Sequence, residues 1–318
     1  MNAWQFIRDK HATGIQTILL YVLSSTGSSP GRQGFNMAVA ADGDFFGTIG
    51  GGIMEHKFVE MAKSRLQEPP HEPAIHRQIH DKSSGTNQSG MICSGEQTIF
   101  FYFIQHADLA NIEELLHSLA HRKNGRLTLT NSGIGFSDIT PAADYAFEEL
   151  LNGEFIYTEK TGFKNKLVVV GGGHCSLALC RIMSTMDFYI QVYEERNDLN
   201  TLKQNHFAHE QFVVDSYEAL TGFVEGGPNV FAVLMTFGYR TDDVALRALR
   251  DKNFKYLGML GSKKKAEKMF ADYRQHGLDP SFLRQIFSPV GIQIKSQTAD
   301  EIAISIAAQI IEVKNRDQ

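Results

Sequence analysis

Lys166 to Met183 reads KLVVVGGGHCSLALCRIM, the stretch that most tightly restricts what this chain can fold into. Leu167, Val168, Val169 and Val170 form a short apolar run of the kind that fills a buried parallel strand. Gly171-Gly172-Gly173 breaks the run, and small and apolar residues at helical spacing follow. Gly171-x-Gly173-x-x-Ser176 stands in the place of the G-x-G-x-x-G/A turn of dinucleotide-binding folds. In that turn the first glycine permits the bend, the second lets a pyrophosphate approach the backbone, and the third lets the helix pack closely on the strand. Ser176 is small but is not glycine, so the motif takes its weight from context. Tyr189–Tyr193 is predicted as the next strand and runs into Glu194-Glu195. Glu194 falls roughly 20 residues past Gly171, where an acid would meet a ribose hydroxyl. His174 is the titratable group inside the turn.

The remainder of the second half repeats this alternation. Phe212–Val214 and Val230–Met235 read as short strands; Asp198–Asn205, Tyr217–Phe223 and Asp242–Arg250 read as helices. The order is that of a doubly wound parallel sheet. YLGMLGSKKK, Tyr256 to Lys265, is a strand running through Gly261-Ser262 into a helix for which Ser262 suits the N-cap. Three lysines in a first turn oppose the helix dipole; a bound anion would compensate them, and so would solvent. Thr298-x-x-Glu301 forms a capping box for the last helix, and Ile302, Ile306 and Ile310 mark its core stripe.

In the first half, Trp4–Lys10 is predicted as a helix and Thr17–Ser24 as a buried strand. The loop 26–34 (TGSSPGRQG) carries Gly27, Ser28 and Ser29. A hairpin turns at Asp42-Gly43, and Gly50-Gly51-Gly52 opens a helix over Ile53–Leu66. That helix is expected to bury Ile53, Phe58, Met61, Ala62 and Leu66 and to turn Glu55, Lys57 and Glu60 outward. Three glycines before a helix leave amide donors free for an anion, and serve a simple tight turn equally well. Ala74–His80 alternates as a strand with His76 and His80 on one face, read as surface histidines because no cysteine or carboxylate completes a metal set. Asp81–Gly95 is a polar loop carrying Cys93, either a reactive thiol or a small buried hydrophobe. Strand Gln97–Ile104, helix Asp108–Arg122, strand Gly125–Thr130, helix Pro141–Leu151 and strand Glu154–Thr158 complete the half. The domains are placed at residues 1–163 and 164–318, both α/β.

With 42% hydrophobic and 21% charged residues among 318, the chain has the composition of an ordinary soluble protein. A net charge of −5 gives no bulk attraction to nucleic acid or to an anionic membrane. Cys93, Cys175 and Cys180 make no disulfide framework, which suits a reducing, cytoplasmic setting.

Taken together, the motifs resemble the XdhC/CoxI family of accessory proteins to xanthine dehydrogenase and related molybdenum hydroxylases. The resemblance rests on Thr26 to Pro30 with Gly34, on Gly50 to Gly52 with Glu55, and on Gly90-Met91 through Cys93 to Gly95-Glu96. In the second half it rests on Val170 to His174, Glu194-Glu195-Arg196, Tyr256 to Lys265, Ser288 to Ile292 and Thr298 to Ala303. Arg32, Ser94 and Phe237-Gly238 depart from the usual pattern. The resemblance implies a Rossmann-like C-terminal domain behind an XdhC/CoxI-type N-terminal one. It implies a chaperone that binds molybdenum cofactor (molybdopterin), holds it while a cysteine desulfurase acts, and delivers it to an apo-xanthine dehydrogenase or a related hydroxylase of purine catabolism. A homodimer is an allowed assembly. The site residues so implied are Gly27, Ser28, Ser29, Gly50, Gly51, Gly52 and Glu55, with Cys93 as a sulfur ligand or relay to the metal. Gly171, Gly173, His174, Glu194, Gly261 and Ser262 would hold NAD(P), another nucleotide, or part of the same ligand. The alternative is an NAD(P)-dependent oxidoreductase, which needs an acid–base group beside the nicotinamide; His174 is better placed for phosphate. Iron–sulfur and flavin modules for xanthine oxidation itself are not visible in this length, and three scattered cysteines cannot hold such clusters.

Overall fold

The computed structural model describes residues 1–69, 72–79, 95–276 and 280–316, which divide into two compact units, Met1–Gly162 and Phe163–Gln318. In the first, α1 (Ala3–Ala12) leads into β1 (Thr17–Gly27), β2 (Asn36–Ala40), β3 (Phe45–Gly47), α2 (Gly52–Arg65), β4 (Ala74–Ile79) and β5 (Gly95–Phe103). Then come α3 (Asp108–Ala120), β6 (Gly125–Thr130), β7 (Gly133–Ser137), β8 (Tyr145–Glu149) and β9 (Phe155–Thr161). One antiparallel sheet has the order β3-β2-β1-β5-β4 and a second the order β7-β6-β9-β8.

The central strand β1 is buried on both faces because apolar residues fill both alternating sets. Leu19, Tyr21 and Leu23 join the core built with α1, α3 and the second sheet. Ile18, Leu20 and Val22 face the opposite way, onto Met54, Phe58, Val59 and Ala62 of α2. Thr26 and Gly27, expected in the loop, are the last residues of β1 and pair with Glu96 and Gly95. In α2 the inner face starts at Met54, and Ile53 is 59% exposed. The expected helix over Pro141–Leu151 is instead the edge strand β8, paired antiparallel to β9, followed by a short 3-10 turn at Leu151–Gly153. His76 is half-buried rather than a surface residue, edge-on to the rings of Phe58 and Phe101 at 5.7 Å each, and burial lowers its pKa. His80 and Cys93 lie outside the described residues.

The second unit runs β10 (Asn165–Val170), α4 (His174–Met183), β11 (Phe188–Glu194), α5 (Asn200–Lys203), β12 (Glu210–Val213), α6 (Leu220–Phe223), β13 (Gly227–Leu234), α7 (Tyr239–Leu249), β14 (Phe254–Met259), α8 (Lys263–Gln275), α9 (Pro280–Arg284), β15 (Ile286–Phe287) and α10 (Ala299–Lys314). Its sheet is parallel throughout, with the order β12-β11-β10-β13-β14-β15. This is the Rossmann-like doubly wound order, and its reversal falls between β10 and β13, where such folds open their ligand crevice. The odd and even residues of β10 serve two cores: Leu167 and Val169 pack with α4 and α10, Val168 and Val170 with α7 and α8. The capping box of α10 forms as its sequence predicts, Thr298 Oγ1 accepting from the Glu301 amide at 3.2 Å. No helix among the described residues is long and apolar enough to cross a membrane.

Candidate functional site

Three glycines bring the first-unit motifs to one place. A Cβ on Gly50 would lie 2.4 Å from the Gly31 nitrogen, and one on Gly31 would lie 2.0 Å from the Ile49 carbonyl oxygen. A Cβ on Gly95 would lie 2.6 Å from the Ser29 nitrogen. The 26–34 loop, the Gly50–Gly52 turn and the start of β5 therefore touch backbone to backbone, at distances no side chain permits. Buried Gln97 locks the contact, its Nε2 donating to the carbonyls of Gly31 at 3.0 Å and Ile49 at 3.1 Å.

The amides of this turn are less free than the sequence suggests. Glu55 is not turned outward: its Oε2 accepts from the amides of Ile49 at 2.9 Å and Gly51 at 3.0 Å, and from the Thr48 hydroxyl at 2.6 Å. The Gly50 amide donates to Thr48 Oγ1 at 3.1 Å. The chain's own carboxylate thus occupies part of the expected anion site. What remains to a ligand is the start of α2 beyond Gly51, with open space where a Gly51 side chain would stand. Ser29 is buried and donates to the Gly31 carbonyl, whereas Gly27 and Ser28 are exposed.

The second unit repeats the device. Gly171 has φ +107° and no room for a side chain, since a Cβ would meet the Met235 carbonyl oxygen at 2.4 Å. Gly173, the N-cap of α4, has φ −74° and open space on its Cβ side, as a ligand approaching the backbone requires. His174 is exposed on the first turn. Ser176 is 1% exposed, small enough to let α4 lie close to the sheet, and its hydroxyl has no hydrogen-bond partner.

Glu194, expected to face a ribose, is 1% exposed and committed to the protein. Its Oε2 accepts from the Gly172 amide at 2.7 Å and Arg196 Nη2 at 2.8 Å. Its Oε1 accepts from the amides of Glu195 and Arg196 at 2.9 and 3.1 Å, from Arg196 Nε at 2.9 Å and from the Tyr217 hydroxyl at 3.2 Å. Burial pushes the carboxyl pKa up, but Arg196 and the backbone amides outweigh it and hold the group down at about 2.

The lysine-rich turn has its own counter-charge. Ser262 caps α8 by accepting from the Lys265 amide at 3.2 Å. Gly261, with φ +157°, leaves room for the Lys265 stem, which crosses 2.7 Å from where a Cβ would stand. Lys265 Nζ pairs with Asp242 and donates to the Leu260 carbonyl at 3.1 Å. Fully buried Asp242 also accepts from the Thr236 amide at 3.2 Å and hydroxyl at 2.6 Å. The anion expected to offset that lysine is a side chain of α7.

Sequence reading gave no site role to Gln97, Arg196, Asp242 or Phe237. Arg196, two residues past the acid, and Phe237, where the sequence departs from the family pattern, carry a local signal. Among the described residues no group of three or more His, Cys, Asp or Glu side chains could hold a metal ion.

Residues 167–310 match the XdhC Rossmann domain, and residues 11–76 match the XdhC and CoxI family. The chain is 25% identical over 298 residues to the Escherichia coli (strain K12) protein called uncharacterized protein YqeB, covering 92% of this chain and 43% of that protein. It is 26% identical over 153 residues to a Bacillus subtilis (strain 168) protein described as a probable xanthine dehydrogenase subunit, covering 48% of this chain and 44% of that protein. The chain thus spans less than half the length of these curated relatives. A crystal structure described as a xanthine dehydrogenase from Bacillus halodurans has the same fold, with a TM-score of 0.71, 23% identity, and coverage of 100% of this chain and 97% of that one.

Proposed function

We propose, from the premise that this chain belongs to the XdhC and CoxI family, that it is an accessory protein of xanthine dehydrogenase or a related molybdenum hydroxylase. In this reading it binds molybdenum cofactor, holds it for sulfuration by a cysteine desulfurase, and passes it to the apoenzyme with no turnover of its own. The observation that carries the reading is the backbone junction of Gly31, Gly50 and Gly95, which brings three family motifs together.

The residues fit the anionic end of such a cargo. The donors left for an anionic group are the exposed Ser28 hydroxyl and the start of α2, with open space over Gly51 and with Glu55 holding the turn in shape rather than meeting the ligand. The cofactor when bound would supply the oxygen- and sulfur-ligated metal. Cys93, two residues before Gly95 in the sequence, is proposed as the thiol that meets it. The second unit would hold NAD(P) or another nucleotide.

Equilibrium binding of purified protein to molybdenum cofactor, followed by transfer to an apo-hydroxylase, tests this reading. Saturable binding that Ser28→Trp weakens at least about tenfold is expected, because Ser28 is exposed and its replacement leaves the core intact. A protein that binds no cofactor would sink the proposal, and a Cys93→Ser variant that binds and transfers normally would remove the thiol from it.

A further inference from the structure

The β10/β13 reversal carries an exposed aromatic ring and a partly exposed cation. Phe237, just past β13, is 86% exposed. The Arg196 guanidinium lies 5.6 Å from its ring centroid, and the Arg196 side chain is 39% exposed. Both sit beside the glycine turn, since the place of a Gly171 Cβ is 3.0 Å from Thr236 Cα. A large apolar ring left open to solvent at the ligand edge of such a sheet is a surface for a flat partner.

Glu194 decides what kind of partner. A carboxylate has about four lone-pair sites, and Glu194 already accepts from six protein donors. It has no acceptor to give a ribose diol. Arg196 spends Nε and Nη2 on Glu194 and keeps its Nη1 end for a second anion. Asp198, whose charge also acts on Arg196, opposes that anion.

We propose that the β10/β13 reversal selects a ligand bearing a phosphomonoester next to a planar ring, with the phosphate on Arg196 and the ring on Phe237, and discriminates against the same ligand with a bare ribose diol. A 2′-phosphorylated adenosine carries that chemistry. The inference rests on the reading that the second unit holds a nucleotide-like group.

The test is equilibrium binding of the full chain to adenosine 2′,5′-bisphosphate, to 5′-AMP and to molybdopterin. The bisphosphate is expected to bind at least about tenfold tighter than 5′-AMP, the worth of a charge-assisted hydrogen bond. Arg196→Ala should remove that preference and leave 5′-AMP unchanged, because the Gly172, Glu195 and residue-196 amides and the Tyr217 hydroxyl still fill the Glu194 acceptors. Phe237→Ala should weaken both adenosine ligands by a similar factor, and Asp198→Asn should tighten the bisphosphate. Equal binding of the two adenosine ligands, an Arg196→Ala variant that weakens both equally, or no binding by any of the three overturns the inference. If only molybdopterin binds, the inference falls and the cofactor-carrier function stands. Selective bisphosphate binding without molybdopterin binding would instead remove the cofactor-carrier function and leave this inference standing.

Discussion

Glu194 and Arg196 meet in a two-point pair, Nε to Oε1 at 2.9 Å and Nη2 to Oε2 at 2.8 Å, at the mouth of the second unit's glycine turn. Two residues apart in the sequence, they convert an expected ligand-binding acid into a structural brace. The Gly172 amide on the same carboxylate ties the ends of β10 and β11 together.

The brace has a pH signature. Glu194 titrates at about 2 in the folded chain, against an ordinary value of 4.5. A depressed carboxyl pKa stabilises the fold fully above the ordinary value, and that contribution is lost as pH falls from about 4.5 toward 2. Its size at neutral pH is on the order of 3 kcal/mol. Denaturant unfolding of wild type and Glu194→Gln, compared at several pH values, should show a gap that narrows across this window. A gap independent of pH would show that the carboxylate charge does not matter.

The two outer glycines of the turn should respond oppositely to alanine. Gly171→Ala places a Cβ against the Met235 carbonyl at a positive φ and should cost at least about 2 kcal/mol. Gly173→Ala meets only open space and should stay within about 1 kcal/mol of wild type. The same change should weaken any ligand whose phosphate approaches that backbone. Thermal unfolding and binding measured side by side would expose a Gly173 that serves packing alone.

Removing Lys265 strands a buried charge. Lys265→Met should destabilise the second unit by about 3 kcal/mol, because Asp242 keeps its buried carboxylate without the ammonium. Adding Asp242→Asn should recover much of the loss. A double variant no more stable than Lys265→Met would mean that the ammonium acts elsewhere.

The strands of the second unit were legible because a doubly buried parallel sheet writes itself as runs such as LVVV, and both glycine turns stood at strand ends. The segment YAFEE at Tyr145–Glu149 misled because its glutamates favour helix, whereas pairing with β9 and the inward set of Tyr145 and Phe147 decide for strand. The turns could be found by eye, but not what fills them. Glu55 is three residues past its glycines, while Asp242 is more than twenty residues from Lys265, and Gln97 bridges carbonyls far from it in sequence. An acceptor supplied by another element leaves no pattern beside the donor it satisfies, so each turn read as more open to ligand than it is.

The Gly31–Gly50–Gly95 junction also limits how this half of the molecule can drift. Its three backbones meet without a side chain between them, and one glutamine amide spans two of the carbonyls. Insertions and deletions in the neighbouring loops are therefore expected to fall away from these three positions, which act as a fixed hub about which loop lengths can vary. A side chain at any one of the three would push the 26–34 loop away from the segment it touches there, so compensating changes should appear in pairs.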